Sequence, residues 1–286
     1  MRTLAAIPDT GTLETALDIA ARAPSAQNSQ PWLWRIARDA VHLYADRSRQ
    51  LGDTAADHRD VLLSCGAVLD HCVVALAALG WRARIRRFPD RSDTNHLALI
   101  EVIEQPSPAA SVELAAAIAE RRADRRPYSG VSMPAGTLEL LYIRAARRDV
   151  VLGVVPTQRW GRDDDGVVLN YGAAGRGLAR DSGGAVVTLG TEVDNDLSRL
   201  RAGETMSRIL LSATALGLVS CPLTDPLRNS RDRLALACEV FDGDAYPQVL
   251  IRLGSAAADP NPLAAIERRS VADTTTWDKD VRRVGA

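Results

Sequence analysis

The chain has 286 residues and a mass of 30.8 kDa, enough for one large domain or two of ordinary size. It is 46% hydrophobic and 25% charged, a globular composition that excludes a disordered or fibrous chain. The 35 basic and 36 acidic residues leave a net charge of -1, so no global field exists to hold a polyanion, and nucleic acid is not expected as a partner.

In chain order, Thr12 is placed to cap a first helix, with Leu13, Leu17 and Ala20 on one face and Pro24 beyond its end. Two short strands follow, at residues 32–36 and 41–44, close enough to form a hairpin. Asp53 or Thr54 then opens the longest helix. Its positions Leu62, Gly66, Leu69, Val73, Leu76 and Gly80 recur at helical spacing. The adjoining row Val61, Cys65, Val68, Cys72, Ala75 and Leu79 is apolar too, which predicts burial on most sides and a stop at Gly80. Asp70 and His71 interrupt this run, so it is not read as a membrane span and no membrane partner is expected.

Further strands are expected at residues 82–86 and 97–103, and Ser107-Pro108 starts a helix that ends in Glu120-Arg121-Arg122. A helix after Pro134, a strand at 150–155 and a looser region to Gly183 come next. Then follow a strand at 185–189, a buried helix from Met206 to Gly217, a helix from Pro226 to Glu239 and a strand at 247–253. The tail from Asp259 reads as extended. Helices and strands alternate without a regular βαβ rhythm, which places the chain in the α+β class.

Conventional catalytic patterns are missing. Cys65, Cys72, Cys221 and Cys238 show no metal spacing and read as reduced thiols of a cytoplasmic protein. His42, His58, His71 and His96 fall in no zinc pattern and read as structural. Lys279 is the only lysine among the basic residues, so any bound anion meets guanidinium groups.

One local repeat is present. Ala77-Ala-Leu-Gly-Trp81 and Thr214-Ala-Leu-Gly-Leu218 each close an apolar helix before a strand, and they lie about half a chain apart. The chain therefore divides into a first half at 1–106, a second at 107–258 and a tail at 259–286.

The most distinctive string is Ala23-Pro-Ser-Ala-Gln-Asn-Ser-Gln-Pro-Trp32. A helix stops at Pro24, and Ser25, Gln27, Asn28 and Gln30 then supply donors and acceptors before Pro31 and Trp32 launch a strand. Such a turn can present side-chain amides and backbone N–H groups to a flat polar ligand; it equally fits a loop that merely caps a helix. The string resembles the P-S-x-x-N-x-Q-P-W signature of the FMN-dependent nitroreductase fold, where this element contacts the flavin. Ala119-Glu-Arg-Arg-Ala-Asp-Arg-Arg-Pro-Tyr128 resembles the same superfamily's arginine signature, which implies Arg121, Arg122 and Arg125 at the FMN phosphate and ring edge. The segment from Met206 to Pro222 is similar to the helix and turn that lie against the flavin, implicating Gly217, Leu218 and Ser220. Tyr246 to Gly254 matches a late strand in placement, and Glu267-Arg268-Arg269-Ser270 resembles a basic tail segment that closes on the phosphate.

The motif order carries further information. Shifting Arg121 back by the repeat interval passes the start of the chain, and shifting Ser25 forward lands near Arg162, where no second copy exists. Each half holds what the other lacks. This is similar to the Acg family of actinobacterial nitroreductase-like proteins, and the resemblance implies a nitroreductase-like fold of two fused half-length copies, a pseudo-dimer around one FMN site; further homodimerisation is compatible with it. It also implies NADH or NADPH as electron donor and a nitroaromatic, quinone or similar small-molecule acceptor, with no catalytic side chain because the flavin carries the chemistry. A non-catalytic FMN-binding protein for storage, sequestration or sensing is the alternative. The stretch from Thr157 to Gly184 is short beside the lid of Acg-family relatives, so whether it covers the flavin stays open.

Overall fold

The structure, a computed structural model, describes residues 8–162, 167–171, 183–257, 263–279 and 281. The chain divides into two units, Met1–Ala119 with Glu267–Ala286, and Glu120–Ile266. The break thus falls after Ala119, later than position 106, and the end of the tail belongs to the first unit.

The first unit runs through α1 (Thr10–Ala20), β1 (Trp32–Ile36), β2 (Val41–Ala45), α2 (Ala55–Ala78), β3 (Trp81–Arg87), β4 (His96–Glu104) and α3 (Ala109–Glu120). The second contains α4 (Thr137–Ala146), β5 (Val151–Val154), β6 (Trp160–Arg162), β7 (Val167–Leu169) and β8 (Ala185–Thr191). It continues through α5 (Asp196–Ala215), β9 (Val219–Leu223), α6 (Ser230–Phe241) and β10 (Tyr246–Gly254). The tail adds α7 (Val271–Thr274) and β11 (Thr275–Trp277).

Asp9, not Thr12, caps α1: its carboxylate accepts from the Thr12 N–H at 2.9 Å and from the Thr12 hydroxyl at 2.7 Å. A carboxylate is the stronger acceptor at the positive end of a helix. Thr54 caps α2 through a reciprocal box with Asp57. Although α2 has the length and apolarity of a membrane-crossing helix, 83% of its apolar window is buried inside the protein.

The first sheet has the order β11-β1-β2-β4-β3, and every neighbouring pair is antiparallel except β11 with β1. The tail read from sequence as simply extended therefore contributes a strand in register with Trp34–Ile36, preceded by one capped helical turn. The second sheet has the order β5-β8-β10-β9, antiparallel throughout. β6 and β7 pair as a hairpin inside the stretch expected to be loose. Most of the stretch from Thr157 to Gly184, whose cover of the flavin the sequence leaves open, including the glycine-rich residues 172–177, lies outside the described residues.

α5 begins at Asp196, well before Met206, capped by Asn195. Its first turns are polar, so hydrophobic periodicity does not reveal them. They are held by ion pairs instead: Arg199 with Asp194 at 2.9 Å, Arg201 with Asp149 at 3.5 Å, and buried Glu204 with Arg148 at 3.6 Å. Asp194 also accepts from Arg233 at 2.9 Å and Gln248 at 3.1 Å. Burial raises the Asp194 pKa, but these donors outweigh it and hold the carboxyl well below its ordinary value.

The sequence repeat is matched by topology. In the first unit β1 and β2 precede α2, and β3 then lies at the sheet edge beyond β4. In the second unit β5 and β8 precede α5, and β9 lies at the edge beyond β10. The helix ends agree in detail: Leu79 (φ -89°, ψ 7°) and Leu216 (φ -87°, ψ 6°) are followed by Gly80 and Gly217 at φ 90° and 75°. A Cβ at Gly217 would meet nothing within 4 Å, so the left-handed backbone rather than crowding calls for glycine there.

On the first sheet His42 Nδ1 and His96 Nε2 share a hydrogen bond at 3.0 Å, with Tyr44 stacked on His96. Burial lowers both pKa values below the ordinary 6.5, the neighbouring His96 adding to the effect on His42. The unfolded chain therefore binds protons more readily than the folded one. This contribution to stability is complete above pH 6.5 and declines as the pH falls below it. Urea titrations at stepped pH should show this decline in the wild type and a flatter profile in His42→Leu.

Candidate functional site

In the first unit the candidate residues occupy the turn between α1 and β1. Gln27, Asn28 and Gln30 adopt φ of 46°, 56° and 49°. Left-handed backbone costs a non-glycine residue about 1 kcal/mol, so this turn depends on contacts from elsewhere. Ser25 Oγ accepts from the Gln30 N–H at 3.0 Å, Ser64 Oγ of α2 accepts from the Ala26 N–H at 3.2 Å, and Arg49 Nε donates to Ser29 O at 2.5 Å.

The tail supplies further contacts, beside bonds within the turn such as Gln30 Nε2 donating to Asn28 O at 3.3 Å. Arg268 Nη1 donates to Asn28 Oδ1 at 2.6 Å, while Asn28 Nδ2 donates to Glu267 O at 3.1 Å. The Arg269 N–H donates to Gln30 Oε1 at 2.8 Å, and Arg269 Nη1 donates to Gln30 O at 3.0 Å and Trp32 O at 3.3 Å. Arg269 also pairs with Asp46 at 3.3 Å. The amides of Asn28 and Gln30 are thus engaged within the unit. Gln27 is exposed, whereas Gln30, Pro31 and Trp32 are buried.

In the second unit Ala123 bridges Ser220 in parallel, and the Asp124 N–H donates to Ser220 O at 3.0 Å. This lays the arginine segment alongside β9, joining two motifs that are far apart in sequence. Three successive carbonyls of the segment are then held: Asp124 O by the Tyr128 hydroxyl at 2.8 Å, Arg125 O by Arg162 Nη2 at 2.7 Å, and Arg126 O by Arg252 Nη1 at 2.8 Å. The Arg252 guanidinium also stacks on the Tyr128 ring, 3.5 Å from its centroid. Glycines make room for this ring, since a Cβ on Gly254 would lie 2.8 Å from Tyr128 Cδ2.

Guanidinium groups are concentrated here: Arg121, Arg122, Arg125 and Arg126 lie on the segment, Arg162 and Arg252 bond to it, and Arg126 forms an ion pair with Asp124 at 2.8 Å. Burial pushes the Asp124 pKa up, yet the Arg126 hydrogen bonds bring it below its ordinary value. Arg121 is buried, Arg122 is half-buried and donates to Arg121 O at 2.9 Å, and Arg125 is exposed. Ser220 Oγ is buried and has no hydrogen-bond partner among the described residues. A buried hydroxyl left this way beside several guanidinium groups suits an anionic ligand able to accept its proton.

No family model matches the chain. The Mycobacterium tuberculosis protein named "Putative NAD(P)H nitroreductase Rv3131" is 39% identical over 324 residues, covering 96% of this chain and 94% of that protein. "Putative NAD(P)H nitroreductase acg" from the same organism is 31% identical over 322 residues, covering 92% and 94%. The chain belongs to this nitroreductase family. A solved structure from Anabaena variabilis, described as a "putative nitroreductase", matches with a TM-score of 0.56 at 12% identity, covering 89% of this chain and 90% of that one. At that identity it supports the nitroreductase fold.

Within this nitroreductase-family chain, Ser25, Gln27, Asn28, Gln30, Pro31, Trp32, Arg268 and Arg269 come together in the first unit. Arg121, Arg122, Arg125 and Ser220 come together in the second, where Gly217 is the helix stop and Leu218 is buried. The sequence reading did not single out Arg252 or Arg162. For Arg252 a signal was available: it is the one charge within the apolar strand Tyr246–Gly254. Arg162 follows a tryptophan and glycine in a stretch without periodicity and offered none. Replacing buried Arg252 by alanine should remove the stack on Tyr128 and the bond to Arg126 O, costing about 3 kcal/mol in chemical denaturation.

Proposed function

We propose that this chain is an FMN-dependent NAD(P)H oxidoreductase of nitroreductase type, acting on a nitroaromatic, quinone or similar small acceptor, with one FMN per chain. The observation that carries the reading is the arginine segment Arg121–Tyr128 bonded to Ser220, within a chain that is full-length homologous to proteins named NAD(P)H nitroreductases. The buried Ser220 hydroxyl and the planar guanidinium groups fit a phosphate dianion. One flavin per chain follows from the motifs, since each occurs once, and the shared strand order supports descent from two fused copies.

Bound FMN would supply the redox chemistry, accepting hydride at N5 and returning it to an acceptor. The chain's residues then bind and orient. Arg121, Arg122 and Arg125 neutralise the phosphate and the electron-rich edge of the ring, with Ser220 as a hydroxyl donor. Gln27 and the backbone of the left-handed turn present polar groups to the ring, and Gly217 and Leu218 shape the turn before Ser220. The thiol of Cys221 is raised by burial, so it stays protonated and takes no nucleophilic part. The free thiols Cys65, Cys72, Cys221 and Cys238 support a cytoplasmic setting.

Purified protein should be yellow, with equimolar FMN, and NADH or NADPH should bleach the flavin in the absence of oxygen. A colourless protein that ignores added FMN overturns the proposal. Reduction by dithionite but by neither nicotinamide identifies a flavin-binding protein without turnover. Arg122→Glu sets a carboxylate against the phosphate and should abolish FMN retention, measured by absorbance after gel filtration.

A further inference from the structure

The resemblance to other flavoproteins places the basic tail on the FMN phosphate, but the contacts of Arg268 and Arg269 point to a different task. The tail is itself well anchored. Ser270 and Asp273 form a capping box, with the Ser270 hydroxyl donating to Asp273 at 2.7 Å, and β11 pairs with β1 in register Trp34–Thr275 through Ile36–Trp277. The two arginines directly precede this anchor and lie against the turn at residues 25–30. Between them, Glu267, Arg268 and Arg269 engage both ends of the Asn28 amide and the carbonyl oxygen of the Gln30 amide. The Arg269 guanidinium meanwhile serves three main-chain carbonyls, those of Gln30, Trp32 and Asp273, together with Asp46, a set that an incoming phosphate would have to displace.

We propose that the tail segment Glu267–Trp277 is a clamp that holds the turn at residues 25–30 in its left-handed conformation, with Arg268 and Arg269 as positioning residues rather than phosphate ligands. This inference rests on the reading that the turn contacts FMN. Three non-glycine residues at positive φ within four positions do not hold that shape alone, and the tail contacts two of the three directly. The clamp thereby sets how well the loop is preorganised for the flavin ring, a part that FMN and riboflavin share.

That shared ring provides the test. The full-length wild type, Arg269→Ala, Arg269→Lys and Arg268→Ala are titrated with FMN and with riboflavin, which lacks the phosphate, and circular dichroism melts establish that each variant is folded. Arg269→Ala should weaken both flavins by the same factor, about tenfold for the loss of one charge-assisted hydrogen bond. Arg269→Lys should recover little, because an ammonium does not reproduce the planar fork that spans four acceptors. Arg122→Glu, the phosphate control, should weaken FMN far more than riboflavin. Asn28→Gly should restore part of the affinity lost in Arg268→Ala, since glycine adopts the left-handed backbone without strain. Loss of FMN binding with riboflavin unchanged would make Arg269 a phosphate ligand and overturn the clamp. Unchanged affinity for both flavins would also overturn it. A folded wild type that binds neither flavin defeats the FMN reading itself, a result distinct from either.

Discussion

Guanidinium groups donating to main-chain carbonyls hold both candidate loops of this protein in place. Arg269 serves Gln30 O and Trp32 O, and Arg49 serves Ser29 O. In the second unit Arg162 serves Arg125 O and Arg252 serves Arg126 O, while Arg233 holds Pro247 O at 2.7 Å. A loop without regular structure leaves its carbonyls unpaired, and buried carbonyls need donors. Arginine offers five in a rigid plane and can satisfy a carbonyl and a carboxylate together, as Arg269 does. With Lys279 the only lysine in the chain, almost every basic side chain can act in this way.

The same chemistry gives the neutral net charge a different meaning. A charge of -1 describes the whole chain, yet six arginines lie on or bond to the segment Arg121–Tyr128. Part of this positive charge is structural, because Arg126, Arg162 and Arg252 are engaged with the segment itself. Arg121, Arg122 and Arg125 lie on the backbone that those residues hold still. Some arginines brace the segment and others are carried on it, which is why counting charges does not separate the two.

Two units with one strand order and matching helix ends differ in what hangs from the frame. The second inserts α6 between its last two strands and carries the β6–β7 hairpin. The first gains β11, contributed by the far end of the chain. The glycine stops recur at both long helices because the left-handed step after a helix is demanding, and glycine meets it at least cost. The loops differ, and each unit carries a different one of the two motifs.

Much of the frame was legible in the sequence because it depends on neighbouring residues. The Thr54 cap, the hairpin at 32–45, the stop at Gly80, the α+β class and the two distinctive motifs all rest on patterns within a few positions. The start of α5 was hidden because its first turns are polar and stabilised by Asp194, Asp149 and Arg148, residues outside the helix. β11 was hidden because three residues carry little pattern, and their pairing with β1 spans almost the whole chain. By itself the sequence determined which residues are chemically equipped for a phosphate and a flat ring, since donors, acceptors and guanidinium groups are properties of residue type. Only the tertiary structure decided how they are used. It turned Asn28, Gln30, Arg268 and Arg269 toward one another and set Ser220 beside Arg121–Tyr128, because a hydrogen bond is made by whichever partner the fold brings within 3 Å.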